Sequence, residues 1–136
     1  MANLELHLPT YAQTIGIGID RWETGSPVLG IDYKPEICGN PGMLHGGAVS
    51  TLLEVTAIAS LDAELRSEHG PVSLTPLNST IQFLRAAGEG RTFASATVVK
   101  AGRRLANVAA TVWQDTPDKP VATAVVNVAL APRTAE

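Results

Sequence analysis

A single helix-forming stretch, residues 46–66, constrains the fold of this chain more than any other feature. The stretch contains no proline and consists mainly of Ala, Val, Leu and Ile, but Glu54 and Asp62 make it too polar for a membrane span of about 20 apolar residues. Turn-forming residues lie before it at 39–42, and Gly70 and Pro71 follow it. We therefore predict one long helix that is buried on most of its circumference and must be wrapped by the other elements.

Segments rich in β-forming residues surround this helix in the sequence. Turn residues separate the segments, and after the helix their spacing favours consecutive antiparallel hairpins. The N-terminal residues 1–15 are expected to form a short helix or an irregular arm. One antiparallel sheet can curl around the helix, which predicts an α+β fold whose unpaired edge strands a symmetric dimer would cover. The predicted strands are residues 15–23, 28–34, 77–84, 91–100, 103–114 and 121–130.

Composition narrows the class of protein. The chain has 136 residues, 45% of them apolar, which suits one domain over residues 1–136 with a packed core. A net charge of -3 gives no basic surface for nucleic acid, and Cys38, the only cysteine, cannot form a disulfide within the chain. Because no segment has the pattern of a secretory signal or a membrane span, we expect a cytoplasmic protein that binds neither membrane nor nucleic acid.

The loop before the helix and one acid within the helix carry a family resemblance. Residues 40–47 have the sequence NPGMLHGG, and Glu54 follows nine positions after His45. This pattern resembles the hotdog-fold acyl-CoA thioesterases of the phenylacetate-degradation branch, and residues 83–88 and 98–103 are similar to the same family. The resemblance, which spans about residues 13–130, implies a five- or six-stranded antiparallel sheet wrapped around one long helix. It also implies a homodimer, often a homotetramer, that hydrolyses coenzyme A thioesters at sites on the dimer interface.

The start of the predicted helix is suited to stabilising a developing oxyanion. The first N–H groups of a helix have no intrahelical partner and lie at the positive end of its macrodipole. Because glycine lets a ligand approach the backbone closely, we assign the Gly46 N–H as the main oxyanion donor and expect Gly47 to keep the first turn open. A glycine pair also suits an ordinary loop-to-helix turn that binds nothing.

Glu54 is the candidate base or nucleophile. It lies between Leu53 and Val55 in the apolar part of the helix, where a carboxylate is costly unless it is partnered or useful. It could activate a water molecule as general base, or attack the thioester directly to form an anhydride. The alternative is a partly exposed or structural acid without a catalytic role.

The spacing between the two candidates has a geometric consequence. Gly46 and Glu54 are eight residues apart, which corresponds to a rise of about 12 Å along one helix. Both groups cannot contact one thioester carbon, because such contacts are only about 3 Å long. If both are catalytic, each site must combine Gly46 of one protomer with Glu54 of another.

Further candidates lie in the loop and beyond the helix. His45 could hydrogen-bond the thioester carbonyl or brace the glycine turn, while Asn40 could hold water or the acyl carbonyl, or serve only as a turn residue. Related enzymes place a water-orienting hydroxyl near the start of the strand after the helix, which makes Thr75 and Ser73 substrate-binding candidates. Exposed cations could contact the phosphates of coenzyme A or remain solvated charges. These cations are Arg85, Lys100, Arg103 and Arg104.

Two other functions stay open from the sequence alone. One is a hotdog-fold hydratase or dehydratase that acts on an acyl thioester, and the other is a non-catalytic acyl-CoA binding protein. The histidines do not have metal-ligand spacing and no dinucleotide-binding glycine motif is complete, so we expect no metal and no cofactor apart from the coenzyme A of the substrate. No pattern in the chain indicates which acyl group is bound.

Overall fold

The computed structural model describes residues 6–132 and contains one six-stranded antiparallel sheet with one long helix. The sheet has the strand order β1-β2-β4-β5-β6-β3, so β1 and β3 are its edges. The α+β architecture predicted from the sequence is therefore confirmed. The elements are α1 (Thr10–Thr14), β1 (Gly18–Glu23), β2 (Ser26–Asp32), a 3-10 turn (Pro35–Ile37), α2 (Gly46–His69), β3 (Val72–Phe83), β4 (Arg91–Ala101), β5 (Leu105–Trp113) and β6 (Ala122–Pro132).

The long helix α2 runs one turn further than predicted. It has 24 residues and ends at Gly70, whose positive φ of 79° suits glycine and whose N–H donates to the carbonyl of Arg66. Most of its circumference is buried against the sheet, where Leu52, Leu53 and Leu61 are completely inaccessible to solvent. The long apolar helix wrapped by other elements is therefore present as the sequence predicted.

One longitudinal stripe of α2 is not covered by the sheet. Its members recur at intervals of three or four residues, which places them on the same side of the helix, and all are only half-buried. We call these residues the open stripe of α2. They are Ser50, Thr51, Glu54, Ile58, Asp62 and Arg66.

The position of β3 differs from the predicted chain of consecutive hairpins. The pairs β4–β5 and β5–β6 are antiparallel neighbours as predicted, but β3 pairs with β6 at the far edge of the sheet and not with β4. The prediction for β3 is wrong because a hairpin requires a short turn between paired strands, whereas residues 84–90 cross over to bring β4 beside β2. β3 also begins earlier than predicted, so that Pro76 lies within the strand. An edge strand tolerates a proline, and the register of β3 against β6 shifts between Pro76 and Asn78.

The edge formed by β3 is long and poorly covered. The strand has 12 residues, most of them exposed, including Leu77 and Phe83 with 56% and 57% of their surface accessible. Unpaired edges of this length are normally shielded in native proteins. The β3 edge and the open stripe of α2 together form the uncovered side of the protomer.

Candidate active site

The loop before α2 is held by a tight turn. The Met43 N–H donates to the Asn40 carbonyl at 2.9 Å, with Pro41 and Gly42 in the central positions. Gly42 has a φ of 79°, which identifies a type II turn and requires glycine there. Its N–H donates to the Tyr33 hydroxyl at 3.2 Å, and partial burial raises the pKa of that phenol. The Asn40 side chain is exposed and makes no hydrogen bond within residues 6–132.

His45 caps the helix and braces the glycine pair. Its backbone is extended, with φ -62° and ψ 139°, and its Nδ1 accepts a hydrogen bond from the Gly47 N–H at 2.8 Å. A neutral imidazole that accepts at Nδ1 carries its proton on Nε2. A Cβ on Gly47 would lie 2.9 Å from that Nδ1, so the cap requires glycine at this position. Bracing of the glycine turn, one of the two roles considered for His45, is therefore present.

The cap leaves one backbone donor free at the start of α2. Gly47 donates to the His45 side chain, and both Ala48 and Val49 donate to the His45 carbonyl. Within the described part of the chain, the Gly46 N–H has no acceptor. Gly46 is also exposed, so a ligand can reach this N–H at the positive end of the helix macrodipole.

Gly46 borders a mostly apolar cavity of about 330 Å³. The Phe83 ring lies 3.6 Å from the position that a Cβ on Gly46 would occupy. Arg85 also borders this cavity, but its Nε donates to the Pro120 carbonyl at 3.0 Å, so this guanidinium is partly engaged in holding the chain. The cavity is therefore a mostly apolar recess with Gly46 at its margin.

Glu54 borders a different and larger groove of about 500 Å³ along the open stripe. Its carboxylate makes no hydrogen bond or ion pair within residues 6–132, so it is available to a ligand. The walls are mostly aliphatic and include Ile58 and Leu74, while Asp62 and Arg66 form an ion pair of 3.1 Å in the same groove. The groove can therefore accept an apolar group beside an unpaired carboxylate.

The remaining predicted residues are dispersed around these two openings. Ser73 borders the groove of Glu54, but Thr75 does not. Thr75 pairs with Ala129 on β6, and the residue before it, Leu74, packs against the core. Successive strand residues point to opposite faces, so Thr75 lies on the outer face of the sheet. Arg103 is exposed in the turn between β4 and β5. Within one chain, therefore, Gly46 and Glu54 do not lie together. Thr75 lies beside neither of them.

Gln114 supports the loop beside Gly46 and was missed by the sequence reasoning. Its Oε1 accepts from the Gly88 N–H at 3.0 Å, and its Nε2 donates to the Gly88 carbonyl at 3.0 Å and to the Thr92 hydroxyl at 3.2 Å. The neighbouring Ala87 carbonyl accepts from the Leu44 N–H, directly before His45. Gln114 therefore connects residues 84–90 to the helix start. No local sequence pattern indicates this role, because Gln114 is far from both segments in the sequence.

Metal centres and membrane-spanning helices are two further features that a chain of this length could contain. Residues 6–132 contain no group of three or more His, Cys, Asp or Glu side chains arranged to hold a metal ion. None of the helices in the same part of the chain has the length and apolarity needed to cross a membrane.

Comparison with known proteins identifies the family. A model of the thioesterase superfamily matches residues 41–121, which include the helix start, Glu54 and Gln114. The chain belongs to the thioesterase superfamily, and its sheet wrapped around one long helix is the hotdog fold predicted from the motif. No curated protein sequence matches it.

Solved structures give the same fold. The chain is 28% identical to a putative thioesterase described as a phenylacetic acid degradation-related protein from Ralstonia eutropha, with a TM-score of 0.76 over 91% of this chain and 92% of that one. It is 26% identical to a conserved protein from Pseudomonas aeruginosa, with a TM-score of 0.76 over 91% and 95%. A putative esterase from Mycobacterium tuberculosis is 23% identical with a TM-score of 0.80 over 92% and 98%, which shows the shared fold.

Proposed function

We propose that this protein hydrolyses acyl-CoA thioesters at a site that two protomers complete. Membership in the thioesterase superfamily supports the reaction class. The observation that carries the proposal is the unpaired Gly46 N–H at the exposed start of α2, with an unpaired Glu54 carboxylate on the open stripe of the same helix. The first group suits a developing oxyanion and the second suits proton abstraction or attack.

The Gly46 N–H stabilises the negative charge that develops on the thioester oxygen. When a nucleophile adds to the carbonyl carbon, the oxygen becomes an oxyanion that accepts a hydrogen bond from this N–H. The positive end of the helix macrodipole strengthens the interaction. His45 holds Gly47 and so fixes the direction of the turn. A single donor of this kind is worth about 3 kcal/mol in other acyl-transfer enzymes.

Glu54 supplies the second half of the reaction by one of two routes. As a base, it takes a proton from water while the water oxygen adds to the carbonyl carbon. The tetrahedral intermediate then collapses, the carbon–sulfur bond breaks, and the coenzyme A thiolate leaves and takes up a proton. As a nucleophile, the carboxylate itself displaces the thiolate to give an anhydride, which water hydrolyses to the free acid and free Glu54.

A two-fold dimer brings the two groups together. A two-fold axis beside β3 pairs two copies of this edge in antiparallel fashion and sets their α2 helices side by side in opposite directions. The start of one helix then faces the open stripe of the other, so Gly46 of one protomer approaches Glu54 of the partner subunit. The rise of about 12 Å between these residues within one protomer supports this arrangement over a site within a single chain.

Release of free thiol from acyl-CoA tests the reaction. We expect thiol release from aryl- or fatty-acyl-CoA by the wild-type protein, and a loss of about 100-fold or more in the Glu54→Gln variant, which keeps the size of the side chain. Circular dichroism of the variant checks that it is folded. A change in enoyl-thioester absorbance without thiol release would instead identify a hydratase or dehydratase. Binding of acyl-CoA with neither signal would identify a non-catalytic binding protein.

A further inference from the structure

The groove beside Glu54 has polar groups at both ends. Along α2, Glu54 and Arg66 are the first and last of the described residues that border it. Asp62 lies one turn before Arg66, and the Arg66 Nη2 donates to the two Asp62 carboxylate oxygens at 3.1 and 3.3 Å. The groove therefore has an unpaired carboxylate at one end and an acid paired with a base at the other.

The walls between these two ends are aliphatic. They come from α2, from β3 and from the segment before α1, and each wall residue is buried or half-buried against the core. Such walls stabilise an apolar ligand because its surface is removed from water. The wall residues are Leu6, Leu8, Val55, Ile58, Val72 and Leu74.

The charge of the groove suits the acyl part of a thioester better than coenzyme A. Its charged residues are two acids, Glu54 and Asp62, and one base, Arg66, which gives a net charge of -1 when His7 is counted as neutral. This net negative charge repels the phosphates of coenzyme A but has little effect on an uncharged alkyl chain. An acyl chain whose carbonyl lies beside Glu54 therefore extends along the groove towards Asp62 and Arg66.

The ion pair at the far end can serve one ligand group as both donor and acceptor. Within residues 6–132, Arg66 uses only Nη2 in hydrogen bonds, and the Asp62 carboxylate accepts only from Arg66. A hydroxyl can donate to Asp62 while it accepts from another N–H of Arg66. A methyl group would form neither hydrogen bond, and a second carboxylate would be repelled by Asp62.

The spacing of these groups sets the length of the chain that fits. Asp62 follows Glu54 by eight residues, a rise of about 12 Å along the helix. An extended alkyl chain advances about 1.25 Å per carbon, because its bonds are about 1.5 Å long and zigzag. We propose that Asp62 and Arg66 select a straight-chain acyl group of about ten carbons with a hydroxyl on its last carbon. This inference rests on the proposed function, since it assigns the substrate class of that site.

The dimer of the proposed function leaves the far end of the groove accessible to such a chain. In that arrangement α2 of the partner begins opposite Glu54 and runs back along residues 46–54, because the two helices are antiparallel. The groove from Ile58 to Arg66 lies beyond the start of the partner's helix. The acyl chain then occupies the groove of one protomer, and coenzyme A extends towards the partner subunit.

Two thioesters that differ by one oxygen atom test the inference on the wild-type protein. We expect kcat/KM for 10-hydroxydecanoyl-CoA to exceed that for decanoyl-CoA by about tenfold or more, because a site that hydrogen-bonds a hydroxyl discriminates against the analogue without it. The matched short pair is 6-hydroxyhexanoyl-CoA and hexanoyl-CoA. Its hydroxyl stops about 5 Å short of the ion pair, so it should confer no advantage. Thiol release measures all four rates.

An apolar replacement of the ion pair should remove the preference. In the double variant Asp62→Leu, Arg66→Met, we expect decanoyl-CoA to be hydrolysed at least as well as 10-hydroxydecanoyl-CoA, because neither hydrogen bond can form. Exchanging an ion pair for apolar residues of similar size is often neutral for stability, and thermal unfolding checks the fold. Glu64→Leu removes an exposed carboxylate of the same helix outside the groove and should keep the wild-type preference.

Binding measurements separate this inference from the hydrolytic reaction. Titration calorimetry of Glu54→Gln compares the two ten-carbon thioesters, and we expect about tenfold tighter binding of the hydroxylated one. That preference in a protein that releases no thiol would support the selectivity of the groove and reject the hydrolase. Thiol release from both thioesters with equal kcat/KM and equal affinity would overturn the inference and retain the hydrolase, including the case in which the partner subunit fills the groove. Binding of neither thioester would overturn both.

Discussion

Two properties of Gly46 determine how its N–H can be tested. Its N–H is the free donor at the helix start, and it occupies the first helical position directly after the capping residue. Proline is favoured at this first position because its fixed φ suits the helix and its missing N–H breaks no helical hydrogen bond. The extended ψ of 139° at His45 is also the conformation that a following proline requires.

A proline at position 46 would therefore remove one hydrogen-bond donor and leave the helix intact. We expect Gly46→Pro to fold with nearly wild-type stability and to lower kcat by about 100- to 1,000-fold, because only the oxyanion donor is deleted. Steady-state thiol release and thermal unfolding measure the two effects.

Gly46→Ala is the matched control, because it keeps the N–H and adds a methyl group. The added Cβ would lie 3.6 Å from Phe83, an ordinary van der Waals contact. We expect the alanine variant to retain clearly more activity than the proline variant. Equal kcat values for the two would show that the N–H of residue 46 has no catalytic role.

Sequence reasoning located these residues but not all of their interactions. The motif placed His45, Gly46 and Gly47 at a helix start, because glycine-rich loops and helix caps are local patterns. It did not indicate which N–H is free, since that depends on the rotamer that lets the His45 Nδ1 reach Gly47. Gln114 was missed because it meets Gly88 only in the folded sheet, 26 positions away in the chain.

At the scale of elements, one loop connects the sheet to the helix start. Residues 84–90 run from β3 to β4, border the cavity of Gly46, and accept the Leu44 N–H through Ala87. Gln114 fixes this loop by pairing with both backbone groups of Gly88, as a neighbouring strand would. Displacing the loop would therefore alter both the cavity wall and the turn that orients Gly46.

Substitution of Gln114 tests whether its hydrogen bonds support both the fold and the site. Gln114→Met keeps the volume of the side chain but removes its hydrogen bonds, so we expect a loss of stability on the order of 2 kcal/mol. We also expect kcat to fall by about tenfold or more, because small displacements of catalytic groups are costly. Unfolding in urea measures the loss of stability. Thiol release, assayed without urea so that the variant stays folded, measures the loss of kcat.

Gln114→Glu is the comparison variant for this residue, since it keeps the oxygen that accepts from the Gly88 N–H. We expect it to retain more kcat than the methionine variant. If Gln114→Met were less stable but had wild-type kcat, Gln114 would support the fold alone and would not position the site.

The order of the strands was the part of the fold that the sequence predicted least well. Strand-forming segments and their turns are local, so β4, β5 and β6 and the hairpins between them were predicted correctly. Which strands pair across a long connection depends on how the sheet closes around α2. The placement of β3 beside β6 therefore could not be derived from turn spacing, although it creates the free edge that the proposed dimer would pair.

At the scale of the whole molecule, one chain keeps the two proposed catalytic groups at separate openings. Gly46 borders the cavity of about 330 Å³, and Glu54 borders the groove of about 500 Å³. The eight residues between them keep these groups apart within the chain. The proposed hydrolysis therefore requires a site shared between two copies of the chain, because the reaction we propose uses the donor and the acid together.

Mixing two inactive variants tests that claim most directly. Glu54→Gln and Gly46→Pro chains are co-expressed in equal amounts, and thiol release is compared with each variant alone. Random pairing places an intact Gly46 opposite an intact Glu54 in one site in four, so the account predicts recovery of about a quarter of wild-type activity. If each site lay within a single chain, every site would carry one defect, and activity no higher than that of the separate variants would contradict the account.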